Sequence, residues 1–371
     1  MDEMKLSQPK AARTINSARV FGCLRTHENL SRAEIARILD LNKVSTGEIV
    51  DDLIRQGLVE ETGKMESANG RRPTCLSIVA DAKYVLSVDI GSRNTTVALC
   101  NLLSQPVHFE RIPTNRQAPS VEEFCVEIIK SCMRVIKPVD RTRIIGAGIA
   151  VGGRISGDGR TIVSCPYLSW KDIPIVEAFE QVLKMRATCR NSTYALVDAE
   201  RYASCGTDLL SSAAPVIYIE WGNTLSMVLV CEDRVFGEGN GFAHLKVSPT
   251  GLCPCGQIGC LEANVSAWAL SGNMDVHLKE LWPKVEKDVL QYMADAIAMT
   301  VQITGSRKVV ISGEGATITD YCLRELSKLC PDMEIRRSNL GEKANIMAAA
   351  EVALDKWVYM TSMLAKMRTW L

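Results

Sequence analysis

Net charge is the first thing this chain lacks, since 43 Lys and Arg face 43 Asp and Glu. A uniformly basic surface is thereby excluded, and any nucleic-acid affinity has to come from a local patch. Aromatic residues are also scarce, at 5% against 47% hydrophobic, so a sizeable interior is expected to be built from aliphatic side chains. No apolar run is long enough to span a bilayer, so no membrane partner is expected. The first ten residues, Met-Asp-Glu-Met-Lys-Leu-Ser-Gln-Pro-Lys, carry no apolar core of an export signal. With no such signal, the 14 cysteines read as thiols and metal ligands in a reducing cytoplasm, not as a disulfide framework. At 371 residues, two or three folded units are expected.

The densest chemistry lies between Cys253 and Glu262, Cys-Pro-Cys-Gly-Gln-Ile-Gly-Cys-Leu-Glu. Three cysteines fall within eight residues, and Gly256 and Gly259 let the backbone turn tightly enough for their sulfurs to converge. A closed zinc site wants a fourth soft or borderline ligand. His244, in Gly-Phe-Ala-His-Leu, is the nearest candidate. A metal that fixes Cys260 also fixes the direction of the Glu262 carboxylate two positions on. Reduced core cysteines are the plain alternative, which the spacing and glycines disfavour.

The amino-terminal part reads differently. Apolar residues Ile15, Val20, Phe21 and Leu24 recur at helical spacing from Thr14 to about Thr26. Ser31-Arg-Ala-Glu34 is a capping box opening a second helix, and Asn42 is a plausible N-cap for a third, which Gly57 stops. Helix, short turn, helix is the pattern that lays its last helix in the DNA major groove. Asn42, Lys43, Ser45 and Thr46, near the start of that helix, are the expected base and phosphate contacts. Arg71 and Arg72, in Asn-Gly-Arg-Arg-Pro, form a basic segment suited to the minor groove or backbone. A hairpin closed by Thr74–Val79 would be the wing of a winged helix-turn-helix. A small helical adaptor with a solvated face is the bland competitor.

A second unit begins near Lys83. Strand patterns at Tyr84–Gly91, Thr95–Leu102 and Arg143–Val151 alternate with an amphipathic helix over Val121–Ile136, which argues for an α/β unit with helices on both faces of a sheet. Further helices are expected at Val285–Thr304 and Gly341–Glu351, with a buried strand at Lys308–Ser312. Trp357 to Leu371 reads as a core-packing or dimer-facing helix.

The cysteine run behind a histidine, together with the Gly146–Gly153 loop, Ser164-Cys-Pro-Tyr-Leu-Ser-Trp170 and the amino-terminal unit, resembles the ROK family of repressors, open reading frames and sugar kinases. That resemblance implies a winged helix-turn-helix over residues 1–80, then an actin-like, hexokinase-type α/β domain of two lobes over 81–371. It implies zinc on His244, Cys253, Cys255 and Cys260. It also implies a small carbohydrate effector touched by Asp198, His244 and Glu262 and by the loop at Gly153. Asp198, expected at a strand end, matches the family's catalytic aspartate. Three usual polar contacts are replaced by Val197, Gly241 and Tyr167.

Sugar kinases in this family bring glycine-rich loops to ATP. Here Gly91 is followed by Ser92 and Arg93, and Gly222-Asn-Thr-Leu-Ser-Met227 puts Leu225 and Met227 where phosphate would sit. Gly313-Glu-Gly315 keeps only part of a third loop. Because phosphoryl transfer rests on positioning and charge stabilisation, the chain is expected to be no enzyme. The expectation is a cytoplasmic transcriptional regulator, a repressor by preference, of carbohydrate genes, binding double-stranded operator DNA as a homodimer or dimer of dimers. The rivals are an ATP-dependent sugar kinase with a DNA-binding appendage and a zinc-stabilised interaction protein.

Overall fold

The computed structural model describes residues 9–27, 29–64, 74–116, 120–203, 209–210, 212–232, 234–237 and 241–359. Three helices open it: α1 (Pro9–Thr26), α2 (Arg32–Ile38) and α3 (Lys43–Arg55). The capping box at α2 forms as expected, with Ser31 N donating to Glu34 Oε2 at 2.8 Å and Glu34 N to Ser31 Oγ at 3.3 Å. Asn42 caps α3 by accepting from Val44 N and Ser45 N. Strands β1 (Val59–Lys64) and β2 (Thr74–Ile78) pair antiparallel, and Leu30 bridges to Leu76. The expected wing tip, with Arg71 and Arg72, lies outside the described residues.

Two five-stranded sheets follow. The first contains β3 (Tyr84–Ile90), β4 (Asn94–Asn101), β5 (Pro106–Pro113), β6 (Ile144–Val151) and β10 (Ala187–Asn191), in the order β10-β6-β3-β4-β5. Helices α4 (Val121–Ile136) and α5 (Ile175–Leu183) pack on it, and the short strands β7 (Arg154–Ile155), β8 (Ile162–Cys165) and β9 (Trp170–Ile173) form a side sheet. After α6 (Ser192–Ala203), the second sheet contains β11 (Val216–Trp221), β12 (Leu225–Cys231), β13 (Arg234–Phe236), β14 (Lys308–Ser312) and β15 (Glu334–Arg337), ordered β13-β12-β11-β14-β15. Its helices are the short α7 (Glu262–Val265), α8 (Ala267–Ser271) and α9 (Leu278–Leu281), then α10 (Lys287–Thr304) and α11 (Asp320–Leu329). The chain returns as α12 (Ala344–Leu354). Each sheet mixes an antiparallel meander with parallel strands reached through helices, the duplicated α/β plan expected from the alternating pattern.

Four apolar clusters hold this together. One fills each lobe. A third lies between the sheets, where the small residues Ala195 and Ala199 of α6 and Ala348 and Ala349 of α12 meet Tyr218, Val228 and Val310. Small side chains let these helices lie close to strands: a Cβ on Gly148 would stand 2.2 Å from the Ala349 carbonyl oxygen. The fourth cluster joins Val20, Phe21 and Leu24 of α1 and Ile49 and Leu53 of α3 to Val85, Leu102, Ile346 and Ala350. The amino-terminal unit is therefore not a bead on a linker, because it shares a core with the first lobe. Among the described residues no helix is long and apolar enough to cross a membrane.

Candidate metal knuckle and interlobe site

His244, Cys253, Cys255 and Cys260 come together as the spacing predicted, each offering a ligand atom within 4.8 Å of the others. Cys253 Sγ lies 3.6 Å from His244 Nδ1, and Cys255 Sγ 3.7 Å from Cys260 Sγ. The loop closes through Cys253 N donating to the Gln257 carbonyl and Gly256 N to the Cys253 carbonyl. Gly256 and Gly259 have φ of +85° and +81°, the left-handed region that glycine enters without cost. Three thiols and an imidazole at mutual distances of this size fit tetrahedral zinc. Cys253, Cys255 and Cys260 are free thiols, and Lys246 Nζ lies 3.5 Å from Cys260 Sγ.

Glu262 follows directly on the knuckle. Leu261 N donates to the Leu245 carbonyl at 2.8 Å, so His244 precedes and Glu262 follows a residue of this paired couple. Glu262 opens α7, and its Oε2 accepts from Leu225 N at 2.9 Å. Burial raises this carboxyl's pKa against the opposing pull of that bond. His244 is pulled down, by burial first and by Lys246 second.

The other residues expected at the effector site, Asp198 and Gly153, are engaged by protein groups. Asp198 is not at a strand end: β10 stops at Asn191, and Asp198 lies well inside α6. There it forms ion pairs with Arg190, at 2.6 Å, and Arg201, at 3.5 Å. The misplacement arose because Ala195–Ala199 is apolar enough to read as a strand, whereas the Asn191 side chain caps a helix at that point. Its Oδ1 accepts from Thr193 N and Tyr194 N, and its Nδ2 donates to the Gly153 carbonyl at 2.7 Å. Gly153 thus spends its carbonyl on the protein, and its φ of +121° and a Cβ position 2.3 Å from the Ser164 carbonyl oxygen explain the glycine. Tyr167 closes the same loop, donating to the Ile90 carbonyl and accepting from Gly152 N.

Sequence reading missed the carboxylate that does face the end of β10. Glu220, near the end of β11, accepts from Ser192 Oγ at 3.0 Å and Thr193 Oγ1 at 2.6 Å. Asp89, near the end of β3, accepts from Asn345 Nδ2 at 3.0 Å. Burial, with Glu220 adding repulsion, pushes Asp89 up to about 7. A buried acid near the end of a strand that stops short of a glycine is the only sequence signal either residue carried.

The three candidate phosphate loops do converge, but on protein groups. Asn223 Nδ2 donates to Ser92 Oγ at 3.0 Å and to the Met274 carbonyl at 3.1 Å. Arg93 forms an ion pair with Glu314 and donates to the Val276 carbonyl. Glu314 also accepts from Leu278 N, and His277 Nδ1 lies 3.1 Å from it. Leu225 and Met227, expected to block phosphate, instead belong to β12 and pack in the second lobe's core. These polar groups cross-brace the three loops.

On α3, Asn42, Lys43 and Ser45 are exposed as expected. Thr46 is not: it is fully buried, and its hydroxyl donates to the Asn42 carbonyl at 3.0 Å. The position was misjudged because the helix turns its fourth residue inward. Val44, 71% exposed, was missed. The helix's acids are all engaged, Asp51 by Arg32, Glu48 by Arg13 and Asp52 by Arg13 and Arg55, whereas Lys43 at its amino end forms no ion pair among the described residues.

Two xylose repressors of Caldicellulosiruptor, one of them putative, are 26% identical over 264 residues and 25% over 321. Those matches span 69% and 85% of this chain, and 65% and 77% of the repressors. The DNA-binding transcriptional dual regulator NagC of Escherichia coli K12 is 24% identical, covering 91% of this chain and 92% of that protein. A solved ROK family transcriptional regulator, homologous to the E. coli MLC protein, superposes with a TM-score of 0.70 at 20% identity over 95% of this chain and 98% of its own. A ROK family glucokinase from Streptomyces griseus, solved with glucose and AMPPNP, gives 0.59 at 18% identity, covering 72% of this chain and 98% of its own. The ROK family model matches residues 85–353, and the chain belongs to the ROK family.

Proposed function

We propose that this protein is a sugar-responsive transcriptional repressor whose amino-terminal helices read DNA and whose two lobes house the effector. The observation that carries the reading is the difference in coverage: the solved regulator matches 95% of this chain, whereas the solved glucokinase matches 72%. The surplus corresponds in size to the unit containing α1–α3 and β1–β2, ahead of the matched family region. In this reading α3 is the recognition helix, Asn42, Lys43, Val44 and Ser45 face DNA, and the strand pair is the wing. Arg71 and Arg72 supply the basic contacts. Two copies present their recognition helices roughly 34 Å apart, one DNA turn.

The effector site is built on His244 and Glu262, held by zinc on His244, Cys253, Cys255 and Cys260. Zinc there would be structural, contributing folding free energy and fixing those two side chains. The polar set is reduced. Asp198 sits inside a helix in ion pairs, and Asn191, Ser192 and Glu220 occupy the strand-end position. A sugar hydroxyl stripped of water needs a replacement bond, so the ligand is a carbohydrate or derivative different from those that kinases phosphorylate. The cross-braced loops support a regulator without phosphoryl transfer. A thermal-shift screen of pentoses, hexoses, N-acetylhexosamines and their phosphates tests this, because a ligand of the native state raises Tm. Turnover of ATP with any of them would overturn it.

A further inference from the structure

The geometry points to Arg25 as the positioning residue through which the relative placement of the two lobes reaches the amino-terminal helices. Arg25 is in the last turn of α1. Its side chain is only 3% exposed, and that of its partner, Glu351 on α12, is fully buried. Arg25 Nη1 donates to Glu351 Oε2 at 2.8 Å, and Nη2 pairs with Oε1. Nη2 also donates to Ser104 Oγ at 2.7 Å, and Nε to the Leu102 carbonyl at 2.8 Å. The guanidinium stands 4.3 Å from the ring centre of Tyr202, on α6.

One side chain is thus fastened to both helices that lie between the sheets. Helix α12 packs against β3 and β6 of the first lobe, while Ala344, Ala348 and Val352 share a cluster with Tyr218 and Val310 of the second. Helix α6 does the same through Ala195 and Leu196. A rotation of one lobe against the other must slide α6 and α12 in their packing, because close-packed interfaces shift between discrete arrangements. Apolar contact alone between α1 and α12 would slip. A planar, fixed fork of hydrogen bonds transmits direction as well as position.

Energetics favour the same role. A buried ion pair costs desolvation that its attraction only roughly offsets, so stability alone is a weak reason for placing one where two apolar residues would pack. What it adds is geometric specificity. The contacts of Arg25 named above, Leu102, Ser104, Tyr202 and Glu351, belong neither to the expected effector residues nor to the expected DNA face, so the proposed effect is on how the two are coupled.

The inference deepens the repressor reading, and its test has a readout independent of DNA and sugar. Two changes are combined in the full chain. Arg93→Glu sets a carboxylate against Glu314 and forces the lobes apart. Arg25→Gln with Glu351→Gln replaces the ion pair by a neutral amide pair of similar reach. Hydrogen exchange is then followed by peptide, with exchange in α6 and α12 reporting the lobe change. The expected result is that Arg93→Glu changes exchange in α1 and α3 by about fivefold or more with the pair intact. In the Gln–Gln background, α1 and α3 keep their parent rates while α6 and α12 still respond. An unchanged α1 with the pair intact, or an equal change in both backgrounds, overturns the inference. Binding to a pool of random duplex DNA separates the two readings. Retained affinity that no longer responds to Arg93→Glu belongs to lost coupling, whereas absence of DNA binding in the parent chain refutes the repressor reading and leaves the exchange result standing.

Discussion

Asn223 donates to Ser92 across 3.0 Å, joining the turn after β11 to the turn before β4 and so one lobe to the other. Beside it, the Arg93–Glu314 pair crosses the same gap. A nucleotide would have to displace both. Millimolar magnesium-ATP is therefore predicted to leave Tm within a degree of its value in buffer, about the measurement's scatter. A rise of several degrees would show that the loops open to phosphate after all.

The knuckle should respond to single methyl groups in a position-dependent way. Gly259→Ala puts a Cβ 1.9 Å from the Ser248 carbonyl oxygen at a φ of +81°, whereas Gly256→Ala meets nothing within 4 Å at +85°. The first is expected to cost on the order of 3 kcal/mol or more, and the second about 1 kcal/mol, the left-handed backbone alone. Denaturant unfolding checks the ranking, and equal losses would mean that the loop is not packed as described.

Cys255→Ser is predicted to lose bound zinc and stability together, since a closed site contributes folding free energy outright. Metal content and Tm should fall in parallel, and a chelator should reproduce the fall in the parent chain. A metal-free variant of unchanged Tm would show that the four ligands are an ordinary packed cluster.

Asp89 supplies a pH dependence with a definite sign. Burial and Glu220 raise its folded pKa to about 7 from an ordinary 3.8. The folded chain therefore holds this proton where the unfolded chain has released it. The contribution is fully present below about pH 4 and is lost as pH rises through about 7. Asp89→Asn should remove up to about 1.4 kcal/mol per pH unit of slope within that window. Superimposable stability–pH curves for the two proteins would contradict the assignment.

On α3, Lys43→Ala is expected to weaken binding to all duplexes alike and lower the log–log salt slope by about 1. Val44→Ala, lacking charge, should alter sequence preference at constant slope. Thr46→Ala should act on stability only, because its side chain is buried on the Asn42 carbonyl. A changed salt slope in Thr46→Ala would contradict its inward orientation.

Where local chemistry dictated local structure, the sequence was legible. Ser31 and Glu34 announced α2, Asn42 announced α3, and cysteines with glycines announced the knuckle. Periodicity set the bounds of α4 at Val121 and Ile136 and of β14 at Lys308 and Ser312. Legibility failed where an apolar run is buried on all sides, for then strand and helix look alike. Residues 195–199 are the case, and reading them as a strand moved Asp198 to a place held by Asn191 and Ser192. It failed also for contacts between residues far apart in the chain. Neither Arg25–Glu351 nor Glu220–Ser192 has a local pattern, because the first exists only after α1 has packed on α12 and the second only after the two lobes have met.

The central claim is that the amino-terminal helices bind operator DNA under control of a carbohydrate held between the lobes. It is met most directly by selecting duplexes from a random pool with the full-length, zinc-loaded chain, then titrating carbohydrates into the selected complex. The account predicts enrichment of a two-half-site sequence whose affinity changes by about fivefold or more with at least one sugar or sugar phosphate. A folded, zinc-loaded protein that enriches no sequence, or whose complex is indifferent to every carbohydrate while ATP is consumed, would contradict it.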